Sequence, residues 1–87
     1  MSPEELLSFP CEMPIKVFGR NEGDFRDVAV AIVKAHFTAL TEGDVQEKLS
    51  KEGRFVSLTI SVTADSRKQL DQLYRELTAN QKVLMVL

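Results

Sequence analysis

Little in this chain invites covalent chemistry. It has one cysteine, one histidine and no tryptophan. A lone cysteine, Cys11, excludes an internal disulfide framework and suits a reducing compartment. Its neighbours Pro10 and Glu12 supply no positive charge to lower its pKa, so the thiol reads as inert. One histidine and one cysteine fall short of a metal-ligand set, and no metal or cofactor is expected. No apolar run approaches the roughly 18 residues that a spanning helix needs. No basic-then-apolar leader opens the sequence, which makes the cytoplasm the expected location. Charge of one sign is missing too: 11 basic residues meet 13 acidic ones, for a net charge of −2. That balance argues against a dedicated nucleic-acid binder, which carries a basic excess. Only four glycines and three prolines occur, so neither a low-complexity tract nor a disordered composition is present.

What is there belongs to a small globular domain. Eighty-seven residues make one domain, 1–87, able to bury about 60–65% of its unfolded surface. Such a chain has little room for a deep, enclosed active site. At the front, Ser2, Pro3 and Glu5 form the cap, first-turn proline and capping box of a short helix that Phe9-Pro10 stops. Leu6, Leu7 and Phe9 are expected to tuck against the body. "MPIKVFG" then alternates as a strand over Met13, Ile15 and Val17.

The segment from Arg20 to Leu40 reads as a long helix, with Asn21 and Asp24 as candidate caps. Phe25, Val28, Ala29, Ile32 and His36 form its core stripe, and Val30, Val33 and Phe37 widen that stripe into an apolar patch of their own. "DVQEKLSK" is a polar strand, and "EG" before Arg54 marks a hairpin. The cleanest alternation follows at 53–66: Val56, Leu58, Ile60 and Val62 on one side, Ser57, Thr59, Ser61 and Thr63 on the other. Ser66 and Gln69 open a second helix with a capping box, and Leu70, Leu73, Tyr74 and Leu77 stripe it at helical spacing. "KVLMVL" closes the chain as an apolar strand.

The order β-α-β-β-α-β has a preferred solution. Right-handed crossovers place both helices on one face of a four-stranded antiparallel sheet, the ferredoxin-like α+β sandwich, with the spatial order fourth, first, third, second. The hydroxyl side of 53–66 then lies on the open face, flat and hydrated, with Phe55 offering a grip near the hairpin.

Phe9-Pro10, "KVFG" at 16–19, the helix ending in His36, "SKEGRFVSLTISVTA" at 50–64, "LDQLYREL" at 70–77 and the terminal "VLMVL" together resemble the YbeD-like proteins. These are small bacterial proteins of unknown function. The resemblance covers nearly the whole chain and implies a ferredoxin-like fold similar to the ACT domains that regulate amino-acid metabolism. It brings no established catalytic or binding residues.

The residues give little ground for catalysis or phosphate binding. A Cys11–His36 nucleophilic pair lacks a third, orienting group, and His36 reads as a packing residue at a helix end. "GRNEGD" has two glycines before a helix but neither G-x-G-x-x-G nor a Walker pattern. Topology still gathers the loop at 19–24 and the hairpin at 50–54 at one end. Arg20, Asn21, Gly23, Asp24, Lys51 and Arg54 are therefore the candidate ligand-binding residues. ACT domains bind small effectors near the equivalent first loop, often between paired domains.

The fourth strand is an edge without a charged guard. Leu84, Met85 and Val86, with Val30 and Phe37 on the first helix, are the candidate partner interface. Val83, Met85 and Leu87 should point one way, Leu84 and Val86 the other. The favoured function is thus a non-catalytic regulatory or adaptor module that binds a protein partner or small effector, with a homodimer as one form. The alternative is single-stranded RNA binding through Phe18 and Phe55 on the open face, which the acidic balance opposes. An enzyme of unknown type ranks third, and no membrane role is expected.

Overall fold

The computed structural model describes residues 8–87. The short helix expected at Ser2, Pro3 and Glu5, with Leu6 and Leu7, lies outside the described residues. Phe9 is half-buried and packs on the core, as expected.

The elements run β1 (Cys11–Arg20), α1 (Phe25–His36), a 3-10 turn (Glu42–Asp44), β2 (Val45–Leu49), β3 (Phe55–Ala64), α2 (Arg67–Ala79) and β4 (Val83–Val86). The strands form one sheet in the order β2-β3-β1-β4, with every neighbouring pair antiparallel. This is the ferredoxin-like α+β sandwich that the element order implies, in the strand order expected.

Period-2 alternation sets the two faces. Ile15 and Val17 of β1 stand opposite Ile60 and Leu58 of β3, and all four are fully buried. Phe25, Ala29 and Val33 from α1 and Leu70, Leu73 and Leu77 from α2 cover them. Phe37 and Leu40, in the connection after α1, close that core.

Two helix starts are built differently. At α2, Ser66 Oγ accepts from the Gln69 amide (3.2 Å), satisfying one of the helix's orphan donors. Gln69 Oε1 reaches back to the Asp65 amide (2.7 Å), while its Nε2 donates to the His36 carbonyl (2.9 Å) at the end of α1. One side chain therefore joins the beginning of one helix to the end of the other. At α1, Asp24 stands at the N-cap position and its carbonyl accepts from the Val28 amide (2.9 Å), but neither candidate's side chain caps the helix. Asn21 Nδ2 donates to the Gly53 carbonyl (2.8 Å), and the Asp24 carboxylate pairs with Lys82 Nζ (3.0 Å). Both are tertiary ties between loops.

Three expectations of exposure are overturned. Phe37 is buried and Val30 packs against the core, so neither stands on a free patch. The inward stripe of α1 is Phe25, Ala29, Val33 and then Phe37, spaced by four, because the ring of Phe25 turns the helix onto Gly19. A Cβ at Gly19 would sit inside that ring; only glycine permits the approach. Val86 is the third case. It stands opposite the fully buried Val17 and packs on the core side. Strict alternation fails in β4 because a bulge falls between Phe18 and Gly19: Phe18 faces Met85, and Gly19 faces Val83. Leu84 is the extra residue, and a bulge shifts the side-chain phase by one. Val83 and Val86 thus both serve the core, while Leu84 and Met85 are 52% and 49% exposed.

Candidate functional site

The helix-free face of the sheet divides into two halves. Register places Glu12, Pro14 and Lys16 of β1 beside Thr63, Ser61 and Thr59 of β3, a polar surface dressed in small hydroxyls. The other half is apolar. Phe18 lies between Ser57 on one side and Met85 on the other, and Phe55 sits diagonally from it, opposite Arg20. Phe18 and Phe55 together line a shallow groove of about 210 Å³ with Lys48 and Ser57. Leu87 extends the row: its amide and carbonyl both bond Lys16 (2.8 and 3.0 Å), which places it beside β1 two residues beyond Met85. Phe55 is 47% exposed and Leu87 62%.

Cations rim this cluster. Lys16, Arg20 and Lys48 project from the same face at neighbouring register positions. Among the described residues none of the three forms an ion pair. The one carboxylate on the strands' open face is Glu12, at the polar end, about 20 Å from Phe18 along the strand. Elsewhere some acids and bases are paired. Arg26 of α1 holds Glu42 (2.9 Å) and Glu47 (3.1 Å) on the covered side. Burial works against the charged guanidinium, but the hydrogen bonds it donates to both carboxylates outweigh that cost and raise the Arg26 pKa.

The loop end behaves otherwise than a binding cradle. The loop 21–24 and the hairpin 50–54 do meet, through the Asn21 amide on the Arg54 carbonyl (2.8 Å) and the Asn21 side chain on Gly53. Those bonds occupy Asn21. Asp24 is occupied by Lys82, whose hydrogen bond holds the carboxyl below its ordinary range. Gly23 has φ +58° with open space around it, so the turn itself accounts for glycine there. Arg20 lines an open groove of about 570 Å³ with Glu22, Phe25, Asn80, Lys82 and Leu84. Lys51 and Arg54 do not line that groove; Arg54 pairs with Glu52 on the exposed hairpin (3.4 Å). The six candidate ligand-binding residues are therefore brought to one end without converging on one point.

Cys11 and His36 are not paired. The thiol leans on the Glu12 carbonyl (3.7 Å), and the His36 ring is hydrogen-bonded to Glu76 of α2. Among the described residues no group of three metal-ligating side chains gathers, and no helix is long and apolar enough to cross a membrane.

Comparison with known proteins places this architecture. Residues 4–87 match the family described as "Protein of unknown function (DUF493)". The chain belongs to the DUF493 family. A UPF0250 protein of Chromobacterium violaceum is 43% identical over 84 residues, spanning 97% of this chain and 94% of the relative. A UPF0250 protein of Nitrosomonas europaea is 34% identical over 87 residues, spanning both chains fully. These are the bacterial YbeD-like relatives that the sequence resembles. The solution structure of protein HP0495 from H. pylori superposes with a TM-score of 0.67 at 14% identity, over 93% of this chain and 85% of that one. That likeness shows the fold. As a DUF493 member the chain comes from a family of unknown function, with no catalytic family indicated.

Two features of this DUF493 surface escape a reading of the sequence. Alternation puts Phe18 and Phe55 on the open face, but their junction with Met85 depends on the β1–β4 register, which no local residue pattern announces. The cationic rim is equally hidden, since Lys16, Arg20 and Lys48 are spread over two strands and meet only through register.

Proposed function

We propose that the protein is a non-catalytic adaptor or regulatory module that engages a protein partner through the apolar end of its open sheet face. The observation that carries this reading is the contiguous cluster of Phe18, Phe55, Met85 and Leu87, with Leu84 beside it on the unguarded β4 edge. A small domain that leaves several large apolar side chains half exposed and adjacent forgoes their burial, and such patches recur at interaction sites. The β2 edge makes the contrast, with Lys48 projecting and Glu47 tied to Arg26.

A small effector at the loop end is the weaker form of this reading, because the Asn21 and Asp24 side chains that would receive it are engaged in holding loops together. Single-stranded RNA is the second reading, favoured by Phe18 and Phe55 lying side by side. Against it, the face offers bases two rings at one end and hydroxyls over the rest.

The test is retention of a partner from a native lysate by the immobilised protein and by Met85→Lys, with both checked for folding. Loss of a specifically retained protein by the folded variant supports the reading. Identical retention by both sinks it. Salt-sensitive RNA binding that Phe55→Ala weakens moves the assignment to the second reading.

A further inference from the structure

The chain is acidic overall, yet among the described residues its exposed apolar cluster lies amid unpaired cations. We infer that the open face receives an acidic, extended segment of a partner protein, whose apolar side chains rest on Phe18, Phe55 and Met85 and whose carboxylates meet Lys16, Arg20 and Lys48. This inference rests on the partner-binding reading above and names the chemistry of the partner.

Charge placement carries the argument. Among the described acidic residues, only Glu12 stands on the strands' open face, and it stands at the far, polar end. Five other carboxylates are committed elsewhere: Glu42 and Glu47 to Arg26, Glu52 to Arg54, Asp24 to Lys82, Glu76 to His36, while Glu22 lines the groove beside Arg20 without pairing with it. The three cations around the cluster have no such partners among the described residues. Lys16 sits between Leu87 and Thr59, Arg20 beside Phe55, and Lys48 beyond Ser57, so they bound Phe18 on three sides. A ligand that covers the rings must pass these cations, and an approaching cationic segment would be repelled by all three. Complementary charge around an apolar centre is how interfaces select partners and speed association. The observations favour peptide over nucleic acid. A bound single strand needs a charged track and successive stacking platforms, whereas here Met85 and Leu87 flank the rings with aliphatic surface and the charge ends at Lys16.

The experiment uses the full chain and three fluorescent probes: a synthetic peptide alternating Glu with Leu and Val, the same peptide with Lys for Glu, and a uridine oligonucleotide. Anisotropy titrations should show the acidic peptide binding about tenfold more tightly than the basic one at low salt, with the gap closing as salt screens it. The triple variant Lys16→Glu, Arg20→Glu, Lys48→Glu, shown folded by its melt, should reverse that preference. Binding to both peptides alike, binding to neither, or tighter binding of the oligonucleotide overturns the inference. So does a dimer in sedimentation that Met85→Lys dissolves while the acidic peptide fails to bind, because a second copy then occupies the face. If Met85→Lys abolishes partner retention while the charge reversals change nothing, the adaptor reading stands and the acidic partner falls. If Met85→Lys retains the partner unchanged, the adaptor reading itself falls.

Discussion

One strand, β3, shows two ways of using a hydrophobic residue. On its covered side, Val56, Leu58, Ile60 and Val62 are at most 4% exposed and touch both helices' stripes. On its open side, Phe55 is 47% exposed and the remaining positions are Ser and Thr. The covered face is where burial holds the domain together; the open face concentrates its exposed apolar surface at one end. Apolar residues that contribute little to folding yet cluster are the ones to question for binding.

The sharpest way to break this comparison is to truncate one residue on each side of β3. Leu58→Ala removes a fully buried side chain and should cost ~2–5 kcal/mol, which for a chain this small is a fall in Tm of about 4–8 °C per kcal/mol. Phe55→Ala should stay within about 1 kcal/mol of the native protein. Equal losses in the two melts would mean that the open face is part of the stabilising core.

Gly19→Ala comes next. The added methyl meets the ring of Phe25, and the overpacking should cost ~1–3 kcal/mol in urea denaturation. An unperturbed midpoint would show that Phe25 does not anchor α1 to β1. A smaller effect belongs to Ser66→Ala, which deletes the α2 cap and should cost about 1 kcal/mol. Amide exchange should then rise first at the start of α2 and leave the open face unaltered.

The smallest expected effect depends on pH. Burial raises the Tyr74 pKa above its ordinary 10.0. The folded state therefore holds that proton more tightly than the unfolded chain does. Its contribution is complete below pH 10.0 and is lost as the pH climbs through the raised folded value. In urea titrations, Tyr74→Phe should abolish that part of the alkaline decline, and a decline identical in both proteins would contradict the assignment.

Much of the covered face is legible in the sequence, because alternation in β1 and β3 and the Leu70–Leu73–Leu77 stripe each have one consistent solution. The helix α1 does not. It is apolar around most of its circumference, so Val28–Ile32–His36 and Ala29–Val33–Phe37 are equally regular stripes one residue apart. The choice is made by Phe25 against Gly19, a contact between loop-separated elements. In β4 the local pattern is uninformative for a related reason: a strand apolar on both faces gives no phase, and the bulge then shifts it. The open-face cluster inherits that ambiguity, since only the β1–β4 register sets Met85 against Phe18 and sends Val86 to the core. Arg26, which clamps α1 to β2, is illegible in sequence because its two carboxylates are 16 and 21 residues away.

We propose that the exposed end of the sheet serves binding and not folding. The most direct test is Met85→Lys, measured by thermal melting and partner retention on the same preparation. The expected result is a Tm within about 4 °C of the native protein and loss of the specifically retained partner. Retention unchanged at native Tm, or a collapse of Tm that takes retention with it, would contradict it.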